Sequence, residues 1–565
     1  MSRSKITFKQ LESNQVVLFP SNLSVRIPSN HPVRIVNQIV NSLDISLIME
    51  KYKGGGTSVY HPRMMLKILF YGYFCNLYSC RKIEQALHEN IYFMWLSGNS
   101  LPDYRTINYF RGKRLKGHIQ IIFAEVVRIM ADMGLVSLDI QYIDGTKIES
   151  ASNKYTFVWK KTVEKNKKKL EAKIASVLSD IDTTIKKDNI KCGTSKPEQT
   201  IDSTTLQRKI DELNRRVSDL TKSQKKDLKK LQVEHIVRLE GYEKQLEILG
   251  DRNSYSKTDK DATFMRMKDD HMKNGQLKAA YNLQISSENQ FLINFSLHRR
   301  PGDSATLIPH LEQFQKLYGK QSKKSVADAG YGSEQNYEYS EKEQMEAFIK
   351  YNYFHKEQSR KFQENPFHPS NLFYNPEKDF IICPIGQKMK FLKSERRTSE
   401  LGYVSNVSLY QAQNCNGCPM RGQCHKSKDN RIIELNHKLI KYRNQVKKRL
   451  LSEEGITYRK KRPVEPEAIF GQIKFNNKFN RFTLRGLIKT EIEFGLIAIS
   501  HNLRKLAQIM SINPKTQCFQ YFLTVFKQFR GSYRKIWGIY RMILRINQLK
   551  SRKIIFLTEK YKNVA

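Results

Sequence analysis

The sequence predicts a mixed α/β core, interrupted by two insertions and preceded by a small all-α domain. Three observations carry that reading. Short runs of β-formers, two of them followed by an aspartate, alternate with helical periodicity between about residues 135 and 511. A charged stretch with heptad spacing breaks the pattern at 160–257, and a loop-rich stretch holding four of the eight cysteines breaks it again at 354–455. A chain of 565 residues has room for roughly three or four domains.

Residues 1–60 read as an irregular arm that ends in Gly54-Gly55-Gly56. In 61–134 the pattern turns helical. Leu66, Ile68, Leu69, Phe74 and Leu77 form one apolar stretch, and Ile83, Leu87, Tyr92 and Trp95 a second. Residues 101–106 read as a loop into an N-cap, followed by one or two helices over 107–133. Arg81, Lys82, Arg105, Arg111, Lys113 and Arg114 give these helices the charge of a compact DNA-binding domain, although such runs also serve as plain solvated faces.

Residues 135–143 predict a strand that ends at Asp144-Gly145. In the first insertion, Leu206, Ile210, Leu213, Val217 and Leu220 keep a 4-3-4-3 spacing, and Leu239, Tyr242, Leu246 and Leu249 resume it in another phase. That predicts a coiled-coil hairpin, which either folds on itself or pairs two chains. Strands at 279–285 and 291–297 make a hairpin. A helix over 303–317, a strand over 324–327 ending at Asp328, a helix from Glu334 and a strand over 347–351 follow. Helices over 466–474 and 487–511 complete a core made of 135–159, 258–353 and 456–511. Residues 512–565 are a basic tail; from Pro514 onward it holds 12 Lys and Arg against one acid, interleaved with Phe519, Tyr521, Phe522, Phe526, Phe529, Tyr533, Trp537 and Tyr540.

The chain has 98 Lys+Arg against 55 Asp+Glu, a net charge of +43 at pH 7. An excess of that size calls for a polyanionic partner, and nucleic acid fits because neutralised phosphates release counterions. Residues 1–9 lack the apolar centre of a signal peptide and no run of 18 apolar residues occurs, so a cytoplasmic protein without membrane insertion is expected.

With the insertions set aside, the order becomes strand–Asp144, hairpin, helix, strand–Asp328, helix, strand, helix–Glu467. Three such carboxylates can converge at one sheet edge, and hard oxygen donors suit Mg²⁺ or Mn²⁺. Two such ions about 4 Å apart can activate the attacking oxygen and stabilise the leaving oxygen at a phosphodiester. Taken singly, Asp-Gly after a strand is also ordinary turn chemistry.

The strings Tyr142-Ile143-Asp144-Gly145-Thr146-Lys147-Ile148-Glu149, Val326-Ala327-Asp328-Ala329-Gly330-Tyr331-Gly332-Ser333 and Val464-Glu465-Pro466-Glu467-Ala468-Ile469-Phe470-Gly471-Gln472-Ile473-Lys474 change that balance. Together with His61-Pro62 through Arg111, Tyr281-Asn282-Leu283-Gln284, and Arg481-Phe482-Thr483-Leu484-Arg485-Gly486 to His501-Asn502-Leu503, they resemble the DDE transposases of bacterial insertion sequences. The resemblance spans about residues 55–510 and implies a ribonuclease-H-like core.

On that resemblance Asp144 and Asp328 match the two catalytic aspartates. Glu467, three residues before Phe470-Gly471 and seven before Lys474, matches the glutamate, with Glu465 as competitor. Arg462 and Lys474 would contact phosphates, and Arg105 and Arg111 would bind DNA from the helical domain. Tyr458 is spaced to suit Glu465 better than Glu467. Glu149, Asp259, Asp261, Asp269, Asp270 and Asp303 are read as supporting or surface acids. The family implies Mg²⁺- or Mn²⁺-dependent hydrolysis at the terminal inverted repeats, strand transfer of the freed 3′-OH into target DNA, a homodimer bridging two ends, and a place at the nucleoid. Two rivals remain: a catalytically inactive, transposase-derived DNA-binding protein, and a structure-selective nuclease without strand transfer.

Cys383, Cys415, Cys418 and Cys424 have the spacing of a tetrahedral Cys₄ zinc site, with His425 able to replace one thiol. Such a site would anchor an insertion without an evident core. The alternative is four reduced, partly buried cysteines. Cys75, Cys80, Cys192 and Cys518 lack metal spacing.

Overall fold

A computed structural model describes residues 22–52, 59–188, 202–215, 220–267, 275–399 and 402–512. The chain divides into two compact units, Met1–Leu115 with Ile499–Ala565, and Lys116–Ala498.

All regular elements described between residues 22 and 115 of the first unit are helical. Two of them start by the same device. His31 caps Pro32–Ser42 by accepting from Val33 N at 3.2 Å, and His61 caps Pro62–Phe74 by accepting from Arg63 N at 3.1 Å. In both, proline occupies the first turn, where a missing N–H costs nothing. Asp103 caps Tyr104–Tyr109 through Thr106 N at 2.9 Å. The expected irregular arm is therefore helical over part of its length, and Val33, Val36, Ile39 and Val40 are fully buried. The arm's residues 1–21 and Gly54-Gly55-Gly56 lie outside the described residues.

The second unit is built on a mixed sheet. Its strands are β1 (Ile140–Glu149), β4 (Thr263–Arg266), β5 (Leu277–Glu288), β6 (Phe291–His298), β7 (Lys324–Ala327) and β8 (Glu346–Ile349), in the order β6–β5–β1–β7–β8 with β4 also on β5. β1 runs antiparallel to β5 and parallel to β7, and β8 is parallel to β7. The β5–β6 turn is only Asn289-Gln290, both at positive φ (54° and 62°), so these strands are longer than the pattern predicts. Tyr142, Ile143, Val326, Phe348 and Ile349 pack with Leu307 and Leu311 of the helix Leu307–Tyr318, and with Tyr442, Val446 and Leu450 of the helix His437–Leu451.

β2 (Phe157–Trp159) and β3 (Ser254–Ser256) pair antiparallel, so the first insertion leaves and returns at one place. Leu206, Ile210 and Leu213 are buried as the heptad reading requires, and they close a core with Leu170, Ile174, Leu178, Leu231 and Leu239 of the same chain. Val217 lies outside the described residues.

The second insertion departs most from expectation. Instead of irregular chain it forms a five-stranded antiparallel sheet, with β9 (Tyr374–Asn375), β10 (Phe380–Ile382), β11 (Lys388–Thr398), β12 (Val404–Ala412) and β13 (Ile432–Leu435) in the order β13–β12–β11–β10–β9. Ile381, Met389, Tyr410 and Ile433 give it a small core. β11 is almost wholly exposed, so no run of apolar residues betrays it in the sequence. The tail after 512 lies outside the described residues.

Candidate active site

The sheet register sets the first two carboxylates side by side. The last parallel pair of β1 and β7 is Ile143↔Ala327, so Asp144 and Asp328 each stand one residue beyond it. β1 does not end at Asp144 as the sequence predicts. It continues to Glu149 because β5 keeps pairing with it, from Tyr142↔Ser287 to Glu149↔Ala280.

Glu467 comes from a helical segment entered at a π-helical turn, Pro463–Glu467. Pro463 and Pro466 lack the N–H groups that a regular α-helix would use there. A π turn closes five residues apart, which returns Arg462 and Glu467 to one face. Arg462 Nη1 is 2.9 Å from Glu467 Oε1, while Nη2 is 3.2 Å from Asp144 Oδ1 and 3.7 Å from Asp328 Oδ2. One guanidinium thus touches three carboxylates drawn from three distant parts of the chain. The Arg462 side chain is 8% exposed and that of Asp144 11%, whereas Asp328 and Glu467 are half in solvent.

Glu465 goes elsewhere. It is buried, and its Oε2 accepts from Gln290 N at 2.8 Å and Ser287 Oγ at 3.2 Å. Tyr458 also turns away, donating to Glu454 Oε1 at 2.6 Å and accepting from Lys324 Nζ at 3.2 Å. Lys474 is buried on the following π-helical turn, Gln472–Asn476.

Beside the aspartates lies a polar network whose members the sequence marks only as parts of the resembling strings and, for Asp303, as a supporting or surface acid. Tyr331 is buried and donates to Gln284 Oε1. Gln284 Nε2 in turn donates to Asn282 Oδ1 at 3.0 Å and Asp303 Oδ1 at 3.2 Å, and Asn282 Nδ2 donates to Asp303 Oδ1 at 2.9 Å. Burial is the main reason the Tyr331 hydroxyl is held far above its ordinary pKa; Asp303, Asp144 and Asp328 push the same way, and Arg462 opposes them. Asp259 and Asp261 serve packing: Asp259 accepts from Tyr281 OH at 2.9 Å and Asp261 Oδ2 from Leu487 N at 2.9 Å. Glu149 pairs with Lys278 at 3.2 Å. Asp269 and Asp270 lie outside the described residues.

Residues 382–507 match the family model for the Transposase DDE domain, and residues 21–113 match that for the Transposase domain (DUF772). Together the matches support an insertion-sequence DDE transposase. No curated protein matches the chain. The DDE-domain match takes in Glu467, Arg462, Lys474, the four clustered cysteines and β11 to β13. The match to the other transposase domain starts at residue 21, so it includes all of the described part of the expected arm. The mixed α/β architecture is consistent with a ribonuclease-H-like DDE domain.

Within that amino-terminal match, Arg111 is 4% exposed, and its guanidinium donates to Tyr73 OH at 3.0 Å, Tyr78 O at 2.9 Å and Asn108 Oδ1 at 3.0 Å. These donors tie Arg111 to neighbouring segments of its own helical domain. Arg105 is a surface cation, with Nε donating to Tyr104 OH at 3.2 Å, and Arg81 stacks over the same Tyr104 ring at 4.8 Å.

The cysteines expected to hold zinc come together, but no zinc site is shown among the described residues. Cys383, Cys415, Cys418 and Cys424 line one cavity of about 20 Å³ with His425 and Arg431. Yet among the described residues no group of three or more His, Cys, Asp or Glu side chains is placed to hold a metal ion. Arg431 occupies the thiols' surroundings: Nη1 is 2.9 Å from Cys424 Sγ, its N–H is 3.4 Å from Cys415 Sγ, and Nη2 is tied to Phe367 O at 2.6 Å. Cys75 and Cys80 are free thiols, and Cys192 and Cys518 lie outside the described residues. No helix among the described residues is long and apolar enough to cross a membrane.

Proposed function

We propose that the protein binds the terminal inverted repeats of an insertion sequence, hydrolyses a phosphodiester at each end and joins the freed 3′-OH to target DNA. The observation that carries this reading is the meeting of Asp144, Asp328 and Glu467 on one guanidinium. Three like charges brought together from separate elements repel one another, so their convergence is unfavourable unless a cation sits among them.

The donor set fits Mg²⁺ or Mn²⁺: three hard carboxylate ligands already surround a positive group, and two of them are half in solvent. Asp144, Asp328 and Glu467 would hold the ions once Arg462 withdraws. Bound there, divalent ions would supply a stronger oxygen nucleophile and neutralise charge on the leaving oxygen. The chain's own part is positioning, which is most of what phosphoryl transfer asks of a protein. The strand register fixes Asp144 against Asp328. The network through Gln284, Asn282 and Asp303 fixes the backbone around Gly145. Arg462, released from the carboxylates, offers a bidentate fork to a phosphate.

A homodimer that bridges two element ends follows from the need to process both together, and a net charge of +43 supplies the sequence-independent part of DNA affinity. The test is Mg²⁺-dependent nicking of a duplex carrying the terminal repeat, with Asp144→Asn and Asp328→Asn binding the duplex but not cutting it. Binding without nicking under either Mg²⁺ or Mn²⁺ would overturn the enzymatic reading in favour of a binding protein. Nicking without joined products when target DNA is supplied would leave a nuclease.

A further inference from the structure

Lys350 follows Ile349, the residue registered against Ala327, and its backbone N–H donates to Ala327 O at 3.3 Å. It therefore stands next to Asp328 at the ends of two parallel strands. Its side chain is half-buried, and among the described residues its ammonium makes no recorded hydrogen bond or ion pair. Desolvation lowers its pKa first; Asp328 and Glu467 act to raise it, and Arg462 and Arg459 to lower it, so all four groups lie within electrostatic reach.

Arg459 is held over the Phe354 ring at 5.3 Å, and its Nε is buried without a hydrogen-bond partner. Arg462 is 7% exposed as a residue, and its Nε is likewise buried and unpartnered. Lys350 and Arg462 thus flank Asp328, with Arg459 within electrostatic reach of Lys350, and the Nε of each arginine is unused. Buried donors left unsatisfied are destabilising, and like charges held together repel. An anion would relieve both.

We propose that Lys350, Arg459 and Arg462 form a seat for one DNA phosphodiester next to the bond cut at Asp144, Asp328 and Glu467. This placement rests on the nuclease reading above; the seat itself does not need cleavage to be measured. A phosphate here would fix the strand's register against the carboxylates, the positioning role that phosphate contacts play in DNA recognition. Nearby His355 is exposed, and its pKa is lowered mainly by desolvation, then by Lys350 and Arg459, with Asp328 opposing; it adds a hydrogen-bonding group.

The experiment uses the full chain carrying Asp144→Asn, in EDTA, so binding is read without cleavage. Duplexes each containing one neutral methylphosphonate are titrated across salt. Lys350→Gln and Arg459→Gln should each weaken binding roughly fivefold or more at 0.1 M salt and together reduce the slope of log K against log salt by about 1, the loss of one phosphate contact. One methylphosphonate position should weaken the parent protein and leave the double variant unchanged, and Lys350→Arg should restore both readings. A double variant that melts like its parent yet keeps slope and methylphosphonate sensitivity overturns the seat. Single variants with affinity loss spread evenly over all positions would overturn it too. Absence of nicking by the unmodified protein in Mg²⁺ would sink the nuclease reading while leaving a position-specific phosphate contact intact.

Discussion

Arg462 Nη1 and Glu467 Oε1 stand 2.9 Å apart across five residues, a separation that a π-helical turn closes and an α-helical one would not. The same guanidinium reaches Asp144 and Asp328, so it serves as the positive charge around which three carboxylates assemble. Arg462→Gln should therefore leave those acids facing one another. The expected cost is about 2 kcal/mol at neutral pH in EDTA, less than for a fully buried pair because two of the acids are half in solvent. Millimolar Mg²⁺ should recover most of it by replacing the lost charge. Thermal melting of the variant in the two buffers checks this; an equal loss in both would show that the acids do not share one cation site.

Glu465 and Glu467 should separate stability from chemistry. Glu465→Ala strands the Gln290 N–H and the Ser287 hydroxyl inside the sheet, which should cost about 1–3 kcal/mol in urea unfolding. Glu467→Gln should melt within a degree or two of the parent but nick DNA at least ~10³-fold more slowly, as expected when a group acting on the transition state is removed. If Glu465→Ala abolished nicking in a stable protein while Glu467→Gln kept it, the assignment would be reversed.

Where the sequence was readable, one strong local signal sufficed. The strand over 324–327, the helix from Glu334 and the β5–β6 hairpin are found where periodicity and turn chemistry place them. The heptads at Leu206, Ile210 and Leu213 marked a helical core, but spacing cannot say whether the partner helix is in the same chain. Asp144 and Asp328 stood out only through their surrounding strings, because an Asp-Gly pair alone is equally a turn. The competing glutamates stayed ambiguous for a physical reason: two prolines force a π turn, which adds a residue between Arg462 and Glu467 and spoils any fixed count. The burial of Arg111 was not legible, because a sequence does not distinguish a buried arginine with three hydrogen bonds from an exposed one. The second insertion hid its sheet, since β11 presents almost nothing to a core. Lys350 could have been found by noting that the strand over 346–349 must lie beside the one ending at Asp328.

Gly145 and Gly332 test how tightly the backbone around the acids is packed. A Cβ on Gly145 would meet Gln284 Nε2 at 2.4 Å and Asp303 Oδ1 at 3.0 Å. A Cβ on Gly332 would meet the Lys350 carbonyl oxygen at 2.4 Å, a backbone atom that cannot rotate aside. Gly332→Ala is therefore expected to cost about 1–3 kcal/mol by overpacking, whereas Gly145→Ala should fold with a smaller loss by displacing Gln284. The chemistry should rank the other way. Moving Gln284 unhooks Tyr331 and Asp303 next to Asp144, so nicking should fall by about tenfold or more, in line with a misplaced reactive group. Urea unfolding and nicking rates on the two variants check the ranking.

Acid should loosen the sheet before it protonates the carboxylates. His310 is fully buried, receives or donates hydrogen bonds at 2.7 Å with both Ser286 and Ser296, and has its pKa pulled down to about 3, mainly by burial and then by His298. His298 is pulled down to about 4 for the same reason, against the pull of Asp303. In the unfolded chain both rings would titrate near the ordinary value of about 6.5. Between that value and the folded ones, the unfolded state binds more protons, so stability falls as pH drops below about 6.5, by at most ~1.4 kcal/mol per unit and group. Above pH 7 neither ring contributes a slope. Measured between pH 7 and 5, where most carboxylates stay ionised, unfolding free energy should decline steeply for the unmodified chain and less steeply for His310→Gln. Parallel slopes for the two proteins would mean that His310 takes up its proton in the folded state, which a ring enclosed by Ser286, Ser296 and Asn294 has no room to solvate.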